Sequence, residues 1–202
     1  MSAPVYIAFE GSEGCGKSTQ AARLATEIDA VLTRETGGTE IGNRLRAILH
    51  DIATTDLDAR SEALMIAADR AQHLSEVVRP ALDAGRHVVS DRSVYSSLAY
   101  QGYGRGLDLG ALSALNRWAI DDCWPQFVIL LEVPEETIAR RLAKRDLDRF
   151  EREGPEFHRR VAEGFRALAA DSPATWVVVD ASRPPDDVAA EIRELVREHL
   201  GI

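Results

Sequence analysis

The stretch from Gly11 to Thr19 has the residue types and spacing of a phosphate-binding loop, Gly11-x-x-x-x-Gly16-Lys17-Ser18. Its glycines let backbone N–H groups turn inward around an anion. The helix expected to follow adds a positive N-terminal end. Lys17 has the reach for β- and γ-phosphates, and the Ser18 hydroxyl suits Mg²⁺. Gly11, Ser12, Glu13, Gly14, Cys15, Gly16, Lys17, Ser18 and Thr19 are therefore expected around the phosphates of a nucleoside triphosphate.

Further residues point to a second phosphorylated ligand. Asp91-Arg92 closes an apolar run. A carboxylate at a strand tip beside the loop can hold Mg²⁺ through water, and the next arginine can clamp a phosphate bidentately. Thr33-Arg34-Glu35-Thr36-Gly37-Gly38-Thr39 reads as a loop opening a helix that carries Arg44 and Arg46. Arg70 lies among small residues, either in a core ion pair with Asp69 or Glu62 or as a substrate ligand, and His73 reads as packing. Ser93 to Gly106 is polar, aromatic and broken by glycines, which suits a base-binding wall or a tyrosine-rich helix surface. The helix expected from Pro134-Glu135-Glu136 runs on through Arg140 to Arg152, a span with six basic residues. Such a span is a candidate cationic lid over phosphates, at about 140–153.

Five apolar, β-rich runs must position these groups: Val5–Phe9, Ala30–Thr33, His87–Ser90, Phe127–Val133 and Thr175–Val179. Helical patterns separate them. That alternation predicts an α/β fold with a five-stranded parallel sheet and helices on both faces, in one domain over residues 1–202. Ligands of such sheets sit beyond the carboxyl ends of the strands. The 202 residues carry a net charge of −9, which argues against broad nucleic-acid binding. No apolar run is long enough to span a membrane, no export signal is read, and two cysteines make no disulfide framework, so a cytoplasmic protein is expected. Cys15, Cys123, Trp118, Trp124 and Trp176 are assigned to packing.

The residues thus describe a small phosphotransferase with a phosphorylated acceptor, and nothing resembles the Asn-Lys-x-Asp of GTPases. The whole set, in this order, resembles the bacterial thymidylate kinases, members of the P-loop nucleoside monophosphate kinases. The resemblance rests on Phe9-Glu10-Gly11 with the phosphate loop, Thr33-Arg34-Glu35-x-Gly37-Gly38-Thr39, Ala67-Ala68-Asp69-Arg70-Ala71-Gln72-His73 and Asp91-Arg92. It extends through Ser96-Ser97-Leu98-Ala99-Tyr100-Gln101-Gly102-Tyr103-x-Arg105-Gly106 and Leu147-Asp148-Arg149-Phe150-Glu151.

The resemblance implies transfer of the ATP γ-phosphoryl to dTMP, giving dTDP, on a three-layer P-loop kinase fold with a helical lid, in a homodimer. It implies Lys17, Arg92, Arg149 and Arg145 as catalytic cations, with Arg141 and Lys144 as further lid candidates. Glu13 would face the deoxyribose 3′-hydroxyl, and Glu35, Arg46 and Arg92 would surround the dTMP phosphate. Arg70 would donate to thymine O4, Ser97 and Gln101 would meet the base's other polar edge, and Tyr100 would crowd the 2′ position. Ser18 and, through water, Asp91 would hold Mg²⁺. The phosphate loop has no arginine, which fits the family branch whose catalytic arginine is in the lid. Two departures stand out: Thr36 replaces a proline, and Ile66 replaces a phenylalanine that stacks on thymine. The competing readings are a kinase of another nucleoside monophosphate or a deoxynucleoside, and a non-catalytic nucleotide-binding switch.

Overall fold

Four of the five strands run one residue further at their carboxyl ends than apolarity alone predicts. A computed structural model describes residues 3–143 and 146–202. Strand β1 spans Tyr6–Glu10, β2 Val31–Arg34, β3 Val88–Asp91, β4 Phe127–Glu132 and β5 Trp176–Asp180. Every strand except β4 ends on a charged residue one place past its apolar run, while β4 stops at Glu132, one residue short. The extra position is polar because it reaches the edge where a ligand binds. There Arg34, Asp91 and Phe9 lie in register across β2, β3 and β1.

All pairings are parallel, in the order β2-β3-β1-β4-β5. The central strands are apolar throughout because helices cover both faces. Ile7 and Phe9 pack on one face against Ala21 and Leu24 of helix α1 (Lys17–Glu27) and Val188, Ile192 and Val196 of a C-terminal helix. Ala8, Val128 and Leu130 face the other way, toward Tyr100, Phe157, Val161 and Phe165. This period-two alternation makes three layers.

The remaining helices begin where capping residues dictate. The Thr39 side chain accepts from Gly42 N–H to start α2 (Glu40–His50), and Asp58 caps α3 (Ala59–His73). A π-helical turn at Leu74–Val78 leads into α4 (Arg79–Asp83). Helix α5 (Val94–Ser97) continues as a π-helical segment, Leu98–Gly104, so the Ser93–Gly106 stretch is helical. Its Tyr100 is buried, not part of a tyrosine-rich surface. The Asp108 side chain caps α6 (Leu109–Ile120). Helices α7 (Glu135–Leu142), α8 (Pro155–Asp171) and α9 (Pro185–Leu200) complete the chain.

Two expectations need correction. The helix from Glu135 does not continue to residue 152: α7 ends at Leu142, and 146–153 is coil and turn. Asp148 and Glu151 bond reciprocally, backbone to side chain, and close a turn there instead. Lys144 and Arg145 lie outside the described residues. Trp118 does not pack within the chain, being 82 % exposed on the outer face of α6.

Candidate active site

The phosphate loop follows from the crossing of β1 into α1. A side-chain carbon on Gly11 would come within 2.5 Å of the Leu131 carbonyl oxygen, and Gly11 also has φ +139°, so only glycine fits this turn. Gly16, left-handed, immediately precedes α1. No acidic residue sits in the first turn of α1, so the helix end keeps its positive field. The Lys17 ammonium lies across the loop, donating to the carbonyl oxygens of Gly11 (3.1 Å) and Ser12 (2.8 Å). Ser18 Oγ donates to Asp91 Oδ2 at 2.5 Å. From α7, Arg141 donates to the Gly14 carbonyl at 2.9 Å, so the helix end lies against the loop.

A cavity of about 470 Å³ opens beside this loop. Arg92 lines it, with backbone φ +74°, a strained value for a residue with a side chain. Its guanidinium pairs with Glu13 and donates to Ser96 Oγ (3.1 Å) and Tyr100 Oη (3.1 Å). Burial opposes both charges, yet the pair prevails. Glu13 is held down to about 2, chiefly by Arg92 and Lys17 against that burial. Arg92 is pushed well above its ordinary value, with Glu13 outweighing the desolvation. Buried Glu10 accepts from Ser93 N–H (2.8 Å), Ser93 Oγ (2.7 Å) and Ser96 Oγ (2.6 Å), and so ties the turn after β3 to β1.

Arg46, from α2, has a different standing. Among the described residues it donates only to the Thr36 carbonyl (3.2 Å) and Thr36 Oγ1 (3.4 Å). Burial lowers its basicity first, and the nearby Arg34 and Arg92 guanidinium groups lower it further. Among the described residues these three arginines, Arg34, Arg46 and Arg92, have one carboxylate partner, Glu13, and so make a site that attracts an anion.

Arg70 is 1 % exposed and pairs with neither Asp69 nor Glu62. Its Nε donates to Glu35 Oε2 at 2.7 Å, and its other nitrogens donate to Ser97 Oγ (2.9 Å), Asn116 Oδ1 and the Ser93 carbonyl (3.0 Å). That uses four of five N–H groups, and leaves one donor on a residue that lines the cavity. Glu35 Oε1 accepts from His73 Nδ1 at 3.0 Å, so both its oxygens are hydrogen-bonded within the protein, and His73 is packed as expected. Burial raises the Glu35 carboxyl, but Arg70 and His73 more than offset this and lower it.

Glu62 is fully buried and gathers donors from three elements. Gln101 Nε2 lies at 2.8 Å, Arg105 at 3.1 and 3.2 Å, and Arg149 at 2.6 Å. These bonds lower its carboxyl below the ordinary range against the burial that raises it. A carboxylate accepts only, so the Gln101 amide must turn its nitrogen to Glu62, which leaves Oε1 as an acceptor.

Of the residues singled out from the sequence, Glu13, Gly14, Gly16, Lys17, Ser18, Thr19, Glu35, Arg46, Ile66, Arg70, Asp91, Arg92, Ser97, Tyr100 and Gln101 line one cavity. Gly11, Ser12 and Cys15 do not line it. Arg149 points elsewhere, its guanidinium on Glu62 and the Leu49 carbonyl (2.7 Å), because the buried carboxylate and the end of α2 both attract it. Arg145 lies outside the described residues. Sequence reasoning assigned no role to Arg34, His50, Asp148 and Phe150, all of which line the cavity. Arg34, Asp148 and Phe150 lie within the motifs that carry the resemblance, whereas His50 depends on a tertiary contact with no local pattern.

The family model described as thymidylate kinase matches residues 9–192. A thymidylate kinase of Desulfovibrio desulfuricans is 43 % identical over 209 aligned residues, covering 97 % of this chain and 96 % of that protein. One from Leifsonia xyli subsp. xyli is 48 % identical over 197, covering 94 % and 92 %. The crystal structure of thymidylate kinase from Ehrlichia chaffeensis superposes with a TM-score of 0.80 at 29 % identity, covering 96 % of this chain and 98 % of that one.

Proposed function

This chain belongs to the thymidylate kinase family, and from that premise we propose how its own residues phosphorylate dTMP to dTDP with ATP as donor. The observation that carries the proposal is the continuity of one cavity from the phosphate loop to Arg70 and Gln101. Both substrates lie in that space, the donor triphosphate at Lys17 and the acceptor base at the far end.

Arg70's remaining N–H donates to thymine O4, and Gln101 Oε1 accepts from N3–H. Cytosine presents the opposite pattern at both positions, so the pair selects thymine. Ile66, 7 % exposed, lies against the ring with Tyr100 and Phe150 in the same cluster. Arg46 and Arg92, with Arg34, hold the acceptor phosphate, and Glu13 meets the deoxyribose 3′-hydroxyl.

The acceptor phosphate oxygen is already nucleophilic at neutral pH, so the residues supply alignment and charge rather than a base. Lys17 exchanges its loop carbonyls for phosphate oxygens, and Arg92 neutralises charge between the two phosphates. The hard oxygens of Ser18 and Asp91 fit Mg²⁺, with Ser18 as direct ligand and Asp91 acting through water. Held there by Ser18 and the water-linked Asp91, Mg²⁺ would supply positive charge against the phosphates during transfer.

The chain acts as a single domain, and it works as a homodimer in the cytoplasm. Support for the dimer comes from exposed apolar side chains on adjacent helices, Ile41 and Ile48 on α2, Leu64 on α3 and Trp118 on α6. No helix among the described residues is long and apolar enough to cross a membrane.

A coupled ADP-release assay with dTMP, dUMP, UMP, CMP, GMP and thymidine tests the reading. The expected result is fastest turnover with dTMP and none with thymidine, which lacks the phosphate. Equal turnover with CMP would refute the roles of Arg70 and Gln101. ATP binding without phosphoryl transfer to any acceptor would indicate a nucleotide-binding switch.

A further inference from the structure

His50 is the last residue of α2 and lines the cavity one helical turn beyond Arg46. Its Nδ1 lies 2.7 Å from Asp148 Oδ2 and its Nε2 3.4 Å from Thr36 Oγ1. Its ring meets Phe150 edge-on, with centroids 5.2 Å apart. One imidazole thus touches the loop after β2, the 146–153 segment and the cavity.

That segment has no regular secondary structure of its own and is held by the end of α2, by Glu62 on α3 and by Arg105, whose Nη1 lies 2.5 Å from Glu153 Oε1. Arg149 N–H donates to the His50 carbonyl (3.2 Å), Arg149 Nε to the Leu49 carbonyl (2.7 Å), and the Arg149 guanidinium reaches Glu62. Those bonds use backbone oxygens and another side chain, so they survive a change at position 50. The His50–Asp148 bond does something narrower. Asp148 Oδ1 accepts from Glu151 N–H (3.0 Å), so its carboxylate sets the turn that holds Phe150 at the cavity. Burial works against the ionised Asp148, yet the His50 hydrogen bond and the backbone N–H groups of Glu151 and Phe150 hold it at about 2.

We propose that His50 is a positioning residue for the acceptor, acting through Asp148 and Phe150 to fix the 146–153 segment as part of the cavity wall. The proposal rests on the dTMP reading above. It gives His50 a selective effect: acceptor binding weakens without it, while the donor site at Lys17 and the scaffold bonds of Arg149 stay in place.

The test is steady-state kinetics of the full chain as His50→Leu, His50→Gln, Asp148→Asn and the double variant His50→Leu with Asp148→Asn. Melting temperature and ATP affinity are followed alongside. His50→Leu keeps bulk but loses the hydrogen bond, and should raise KM for dTMP about tenfold. Both kcat and the Kd for ATP alone should change far less. Gln retains a donor and should recover most of the loss. In the double variant Asp148→Asn should add little, because the two act through one bond.

An unchanged KM in folded His50→Leu would overturn the proposal. So would an equal weakening of ATP binding, or independent, multiplying effects of the two substitutions. Should His50→Leu fail to fold, Asp148→Asn reads the same bond from its more exposed partner. Absence of turnover with dTMP in the unaltered protein would refute the substrate reading. An unmoved KM in an active enzyme refutes only the role of His50.

Discussion

Arg46 separates binding from stability more sharply than any other side chain in the cavity. Its substitution by methionine keeps the apolar stem and removes the cation. The loss within the protein is two long hydrogen bonds to Thr36, at 3.2 and 3.4 Å, about 1 kcal/mol together. Against that stands relief: burial and the Arg34 and Arg92 charges already disfavour the Arg46 cation. The two effects oppose, and the expected net change in stability is within about 1 kcal/mol, or about 2–4 °C in Tm for a chain of this size.

The acceptor phosphate sees no such compensation. A bidentate, charge-assisted contact is lost, and kcat/KM for dTMP should fall by about 2–4 kcal/mol, or roughly 30- to 1000-fold. ATP affinity measured without acceptor should hold. The assays are coupled ADP release and a thermal melt on one preparation. A drop in Tm of about 8 °C would show that Arg46 is held for structure. An equal loss of ATP affinity would put it in the donor site. Either result refutes the reasoning.

Lys17→Ala should abolish turnover and leave the circular dichroism melt intact; near-normal turnover in a folded variant would contradict the phosphate-loop assignment. Ile66→Phe should tighten dTMP by up to about 1 kcal/mol, mainly in KM, if residue 66 lies on the base. Overpacking among Tyr100 and Phe150 would oppose this by about 1–3 kcal/mol, so an unchanged KM at unchanged Tm would remove residue 66 from the base site. Glu13 is depressed from 4.5 to about 2, so its contribution of about 3 kcal/mol is complete above pH 4.5 and fades as pH falls toward 2. A series of melts from pH 7 to 2 should therefore steepen below pH 4.5 in the native chain and less so in Glu13→Gln; parallel curves would refute the Arg92–Glu13 linkage.

The architecture was legible because β1, β3 and β4 are buried on both faces and so read as unbroken apolar runs. The ends of β2, β3 and β5 were misread by a residue because Arg34, Asp91 and Asp180 are polar yet pair as strand. The phosphate loop was legible because its function lies in the backbone of consecutive residues. Arg70 was found, but its partner was not: Glu35 is 35 positions away and competes with the adjacent Asp69, whose Oδ1 is taken by Gly37 N–H at 2.9 Å. The basic span after Arg140 misled in the same way. Six cations in thirteen residues suggested one surface, yet Arg141 bonds the phosphate loop and Arg149 bonds the core. Charge density in sequence did not say which carboxylate each cation would meet.

That distinction decides where an anion goes in a chain of net charge −9. Arg92, Arg70, Arg105 and Arg149 are numerous around the cavity, but Glu13, Glu35 and Glu62 have claimed them. Each pair is buried or nearly so, and breaking one would strand a carboxylate. They therefore act as a rigid frame that fixes Gln101, Ser97 and Tyr100 in place. Arg34 and Arg46 form no ion pair among the described residues, and burial and the neighbouring Arg34 guanidinium lower the basicity of Arg46. A phosphate dianion between them relieves repulsion and strands nothing. On the proposed reading, the paired arginines set the shape of the site, Arg92 alone among them also meeting phosphate, while Arg34 and Arg46 add charge that no carboxylate among the described residues has claimed. The protein can then be stable without substrate and still bind a doubly charged group, because those two cations carry little of the frame.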